Sequence, residues 1–195
     1  MKKKIIVFNL LFLICELVGL GIIALGGNKS LFEYYTVDSN LFALIMTVVY
    51  LYFVCANKKI NKAIYLLRLM SLVSLMITFL VVLFILTFMV PLPFLFWGFY
   101  GSNLILHVIC PLLLLCIYFK YDEKVKVNKL ELIYNMVPTL IYAIILIILN
   151  IKGIVDGPYP FLRFNLQPLY QSILWGVLIV GVTYPIGYIL NKIKK

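Results

Sequence analysis

FLFWGFYGSNLILHVICPLLLLCIYF, residues 94–119, is apolar and long enough to cross a bilayer, yet it holds the chain's single histidine, His107, well inside the run. Read as a helix, it places Asn103, His107 and Pro111 at intervals of four, along one face. A polar face on a lipid-bound helix turns toward protein or a wet cavity, because hydrocarbon offers no hydrogen bonds. Pro111 removes the backbone donor that would reach the carbonyl of His107, which predicts a kink beside the histidine. Any partner for that face has to come from the other apolar runs.

Those runs recur through the 195 residues, 65% of them hydrophobic and only 12% charged. A mean hydropathy of +1.11 is more than a water-soluble core of this size requires. Spans predicted near 5–26, 30–56, 62–90, 94–119, 130–151 and 169–190 make one all-α domain, 1–195, a compact bundle of six transmembrane helices. The opening MKKK and its apolar run have the look of a signal peptide. The run is too long for that and Glu16 interrupts it, so an uncleaved first span is expected. The net charge of +10 sits in short clusters between apolar runs, with no basic face to grip phosphates, which argues against a nucleic-acid partner. It reads instead as topology. Of 17 lysines and arginines, six spans put only Lys29, Lys152 and Arg163 on one side, so both termini are expected to be cytoplasmic in a plasma membrane. Cys15, Cys55, Cys110 and Cys116 lie in apolar runs without a CxxC pair or zinc spacing. They read as packing residues, and no metal or other cofactor is expected.

Along the chain, Glu16 is an acid half-way through a span, either functional or a hydrogen-bonding strut. Ser30 and Glu33 form a capping box that predicts the second helix from Ser30, and Thr36 then lies about 9 Å along it. Thr36, Ser39 and Asn40 share a face, while Asp38 points elsewhere. Arg68 is near a basic end, within reach of snorkelling, and Ser71, Ser74 and Thr78 read as helix-packing hydroxyls. Pro91 and Pro93 end the third span. Pro138 is expected to break the fifth, which carries Asn135, Thr139 and Tyr142 along one side. The longest connector, 152–168, contains YPFL (159–162) and reads as an interfacial loop or a lid.

That topology puts Thr36 and His107 in the same leaflet. From a helix start near residue 98, His107 is about 13–14 Å along its helix, one turn deeper than Thr36, which neighbouring tilted helices can absorb. A threonine hydroxyl becomes a nucleophile when a base takes its proton, and neutral histidine is such a base. The two are a candidate nucleophile–base pair; spacing alone does not separate that from a histidine strut.

Three stretches, YYTVDSNL (34–41), LHVICP (106–111) and YPFL (159–162), resemble the androgen-induced-gene family of membrane proteins and its bacterial six-span relatives in sequence and order. The resemblance implies a threonine hydrolase that cleaves fatty-acid esters of hydroxy fatty acids, with Thr36 as nucleophile and His107 as base. Its substrate would be a lipid or acyl chain. Asn103, Ser39 and Asn40 are the candidate oxyanion donors, and Glu16, Asp38 or Asn103 could orient the histidine. Arg163 follows Tyr159-Pro160-Phe161-Leu162 where an acidic or neutral residue is expected, and could hold a fatty-acid carboxylate. The rival class is transport: a small membrane transporter, or the substrate-binding subunit of a vitamin importer, with Glu16 and Arg163 on the solute. The first span lacks the A-x-x-x-A face those subunits use for docking. An accessory protein with no site is the third reading.

Overall fold

The computed structural model describes residues 2–26, 31–89, 100–163 and 166–194, and among these the chain is helical with no strand. Six helices are long and apolar enough to cross a membrane: α1 Lys2–Leu25, α2 Tyr35–Cys55, α3 Lys62–Met89, α4 Gly101–Lys120, α5 Glu131–Ile151 and α6 Leu169–Ile193. The shortest has 20 residues, which at about 1.5 Å per residue just matches a hydrocarbon core of about 30 Å. This is a multi-pass membrane protein by its own geometry.

The most buried helix, α3, packs against α2, α4 and α6, while α1 lies against α2 and α4. Ser71, Ser74 and Thr78 are buried on α3 and donate back to carbonyls of their own helix, so they cost the apolar core no stranded donor. Gly19 of α1 lies close against α4: a Cβ there would sit 2.5 Å from the Leu106 side chain. Two wide turns interrupt otherwise regular helices. Val82–Leu86 in α3 opens into a π turn, and the Thr87 hydroxyl donates to the Val82 carbonyl at 2.7 Å. Ile105–Ile109 in α4 is the second, ending just before Pro111. The kink expected at that proline therefore takes the form of a π turn, because residue 111 has no N–H to close the usual ring.

Three helix starts differ from the expected ones. α2 begins at Tyr35, after a separate tight turn Leu31–Glu33 and an extended Tyr34, so Glu33 is not the third residue of that helix. The Glu33 carbonyl accepts from the Tyr142 hydroxyl at 2.7 Å, a tertiary bond that outweighs a local cap. Thr36 consequently lies in the first turn of α2 rather than about 9 Å along it. Ser30 lies outside the described residues, as do Pro91 and Pro93. α4 is described from Gly101, at φ +55, after an extended Tyr100. In α5 the tight turn Glu131–Met136 precedes the regular helix Val137–Ile151, which puts Pro138 in the first turn, where its missing N–H breaks nothing.

Arg68 does not snorkel. It is 1% exposed, and its guanidinium donates to Asp122 at 3.1 Å, Thr47 at 2.5 Å and Asn9 at 2.6 Å while lying over the Tyr50 ring. A charge so far from water needs an anion and filled donors, and one helix cannot supply both. Beside it Lys194 is buried, donating to the Tyr118 carbonyl with its ammonium 3.9 Å from that ring's centroid. Burial pulls the Lys194 pKa down to about 8, against the opposing field of Asp122.

Candidate active site

Extended Tyr34 turns the chain into α2 so that Thr36 enters the bundle on the first helical turn. Opposite it, the π turn of α4 carries His107. Thr36 Oγ1 and His107 Nε2 are 2.9 Å apart, and both residues are 7% exposed. With the ring proton on Nδ1, the threonine hydroxyl donates to Nε2, the orientation a general base needs.

Around the pair the first turn of α2 is pinned from several directions. The Asn40 amide donates to the Thr36 carbonyl at 2.7 Å and to the Leu106 carbonyl at 3.4 Å. Ser39 Oγ donates to the Thr36 carbonyl at 3.2 Å and lies 2.9 Å from Thr78 Oγ1 of α3. The Tyr35 hydroxyl is 2.8 Å from Thr139 Oγ1 of α5. The site thus stands on four helices.

Thr36 borders a narrow cavity of about 50 Å³ between α2, α3, α5 and α6. Its exposed walls are apolar, with Val81, Val82, Leu86 and Ile179 prominent; Tyr35, Thr36, Thr78, Thr139, Tyr142 and Tyr159 border it without presenting polar surface to it. The 152–168 connector covers one side with Tyr159, Phe161 and Leu162. The rings of Tyr159 and Phe161 stack at 5.3 Å, and Phe161 leans on Trp175 of α6 at 5.4 Å. Gly157 makes the turn beneath them: its φ is +78, and a Cβ there would lie 2.6 Å from the Leu162 carbonyl oxygen. The Tyr159 phenol faces the Thr36 hydroxyl and the backbone of Tyr35 and Thr36. Burial pushes its pKa up to about 12, and donation from the backbone N–H groups of Thr36 and Tyr35 pulls it back.

The remaining expected residues fall into two groups. Asn103 is on α4 one turn from His107, and Ser39 and Asn40 are beside Thr36 with their donors already engaged. Asp38, Glu16 and Arg163 are elsewhere. Asp38 is half-buried and lines a second hollow with Phe32, Phe42, Ser74, Pro138 and others, on the α2–α5 side. Glu16 is fully buried on α1 against the Cys110 thiol, and neither of its oxygens closes a hydrogen bond among the described residues. Arg163 is exposed on the connector, donates to the Gly157 carbonyl at 3.4 Å and lines a separate polar hollow with Asn150 and Asp156. Sequence reasoning did not connect Tyr35, Thr78, Thr139 and Tyr142 to the site. The polar stripes on the third and fifth spans were the signal, and only knowledge of which helices are neighbours turns them toward Thr36. No family model, curated protein or solved structure matches this chain.

Proposed function

We propose that this chain is an intramembrane threonine hydrolase of lipid esters, in keeping with its resemblance to the androgen-induced-gene family. The observation that carries the reading is the 2.9 Å contact between an imidazole and the hydroxyl of a threonine that lines a narrow apolar cavity. His107 takes the Thr36 proton as Oγ1 attacks the ester carbonyl. The tetrahedral intermediate collapses to an acyl-threonine, and the imidazolium returns its proton to the departing alcohol. Water, deprotonated by the same imidazole, then releases the fatty acid and regenerates Thr36. Asn40 spends both N–H groups on carbonyls, so it is not the oxyanion donor. The Tyr159 phenol, which faces Thr36, is the oxyanion donor this reading favours.

The cavity's apolar walls suit an acyl chain better than the polar solute of an importer, and Glu16 and Arg163, which that reading needs, do not line it. The distribution of lysine and arginine supports a plasma-membrane orientation with both termini in the cytoplasm and the Thr36 end outward.

The test is active-site labelling. Purified protein in nanodiscs, treated with a fluorophosphonate probe, is expected to label at Thr36. Thr36→Ala abolishes labelling and His107→Ala slows it by a factor of about 10² to 10⁴. Labelling that persists in both variants removes the pair from the chemistry.

A further inference from the structure

The π turn that presents His107 leaves a backbone debt next door. The Cys110 N–H closes on the Ile105 carbonyl, five residues back, instead of on Leu106. The next N–H that could serve Leu106 belongs to residue 111, a proline, and does not exist. Leu106 is fully buried, so its carbonyl, deprived of both usual helical donors, has no water to turn to. Asn40 of α2 reaches across and donates to it at 3.4 Å, while its other N–H holds the Thr36 carbonyl at 2.7 Å.

We infer that Asn40 is a positioning residue that sets the distance between Thr36 and His107 by tying the carbonyl of one to the carbonyl preceding the other. Two observations select this role over simple packing. The amide can only be oriented with its nitrogen toward the two carbonyls, since its oxygen would be repelled by both. That orientation leaves Oδ1 buried with no donor among the described residues, a cost the fold carries for what the nitrogen does. The span bridged is also the one that matters: Asn40 is one turn from Thr36 on α2, and Leu106 is adjacent to His107 on α4. Pro111 and Asn40 therefore form one device. The proline opens the helix to aim the imidazole, and the amide takes over the bond that the proline cannot make.

The inference rests on the hydrolase reading for its purpose, but its test does not need a substrate. The chain has one histidine, so a ¹⁵N-histidine label gives a single imidazole whose Nε2 resonance reports the Thr36 bond, with Thr36→Val as the reference for its loss. Asn40→Ala and the bulkier Asn40→Leu are both expected to shift that resonance toward the Thr36→Val position. Probe labelling should slow by a factor of about ten to a hundred, as for misplacement of a reacting group by up to an ångström. In a Pro111→Ala background the helix regains an N–H at 111, and the effect of Asn40→Ala should shrink at least about fivefold, the non-additivity of one shared bond. An unchanged resonance in both Asn40 variants, or the same loss in either background, overturns the proposal. Should the single variants not fold, recovery of folding in Asn40→Ala/Pro111→Ala supports it and a double variant that still does not fold overturns it. A wild-type protein that shows the resonance behaviour but takes no probe would sink the hydrolase reading and leave Asn40's role standing.

Discussion

Replacing Asp122 by alanine removes the one anion paired with Arg68 among the described residues, at the end of the bundle away from the cavity. Both side chains are nearly free of solvent, at 1% and 2% exposure, and the Arg68 Nε lies 3.1 Å from the carboxylate. At that distance, with an effective dielectric of about 20, the attraction is about 5 kcal/mol. Thr47 and Asn9 still accept from the guanidinium in the variant, so what is lost is the Nε hydrogen bond together with the counter-charge. Lys194 adds to it, because Asp122 is also the anion that favours its charged form while Arg68 opposes it. Stranding a buried charge typically costs about 3–5 kcal/mol, and Asp122→Ala is expected at the upper part of that range. For a chain of this length that is a fall in melting temperature of about 8–20 °C. Arg68→Met in the same background should recover more than half of it, since the uncompensated charge leaves with its partner. The assay is thermal unfolding in detergent followed by tryptophan emission. Thr36 labelling, measured well below the melt, should be unaffected by Asp122→Ala. A melting temperature within about 2 °C of wild type would refute the reasoning, because the pair would then be sharing its charge with water.

Other outcomes follow from single contacts. Gly157→Ala forces a left-handed residue, at about 1–2 kcal/mol, and pushes a methyl against the Leu162 carbonyl. The Tyr159–Phe161 cover should loosen, seen as a red shift of tryptophan emission and a changed labelling rate. Thr139→Val leaves the Tyr35 hydroxyl without its α5 partner and should cost about 1–3 kcal/mol in unfolding assays. The Lys194 pKa is depressed from 10.5 to about 8, so between those values the unfolded chain binds more protons than the folded one. Stability should therefore rise with pH across that window, relative to Lys194→Met, in melts run at fixed ionic strength.

Six spans were legible because each apolar run approaches 20 residues, a length only a bilayer demands. The helix starts were less so, for reasons visible at Glu33 and Pro138. A capping box and a proline are local signals, and a hydroxyl from α5 or a tight turn upstream redirects them. Thr36 and His107 could be brought to one leaflet by counting, yet their bond depends on the π turn and on α2 beginning at Tyr35, neither of which the pattern encodes. Arg68 shows the limit in its strongest form. Charge near the end of a span reads equally as snorkelling or as pairing, and its anion is on the loop after α4, 54 residues away. Hydroxyls at Thr78 and Thr139 were noticed as stripes, but a stripe does not name its neighbour.

Gly19 gives the first span a bearing on the Thr36–His107 contact, which it never touches. Any side chain at that position would drive Leu106 sideways, and Leu106 is the immediate neighbour of the imidazole. The first helix is in effect the back wall behind the turn that carries His107. Position 19 should tolerate no enlargement, however conservative, in a chain that keeps His107 against Thr36.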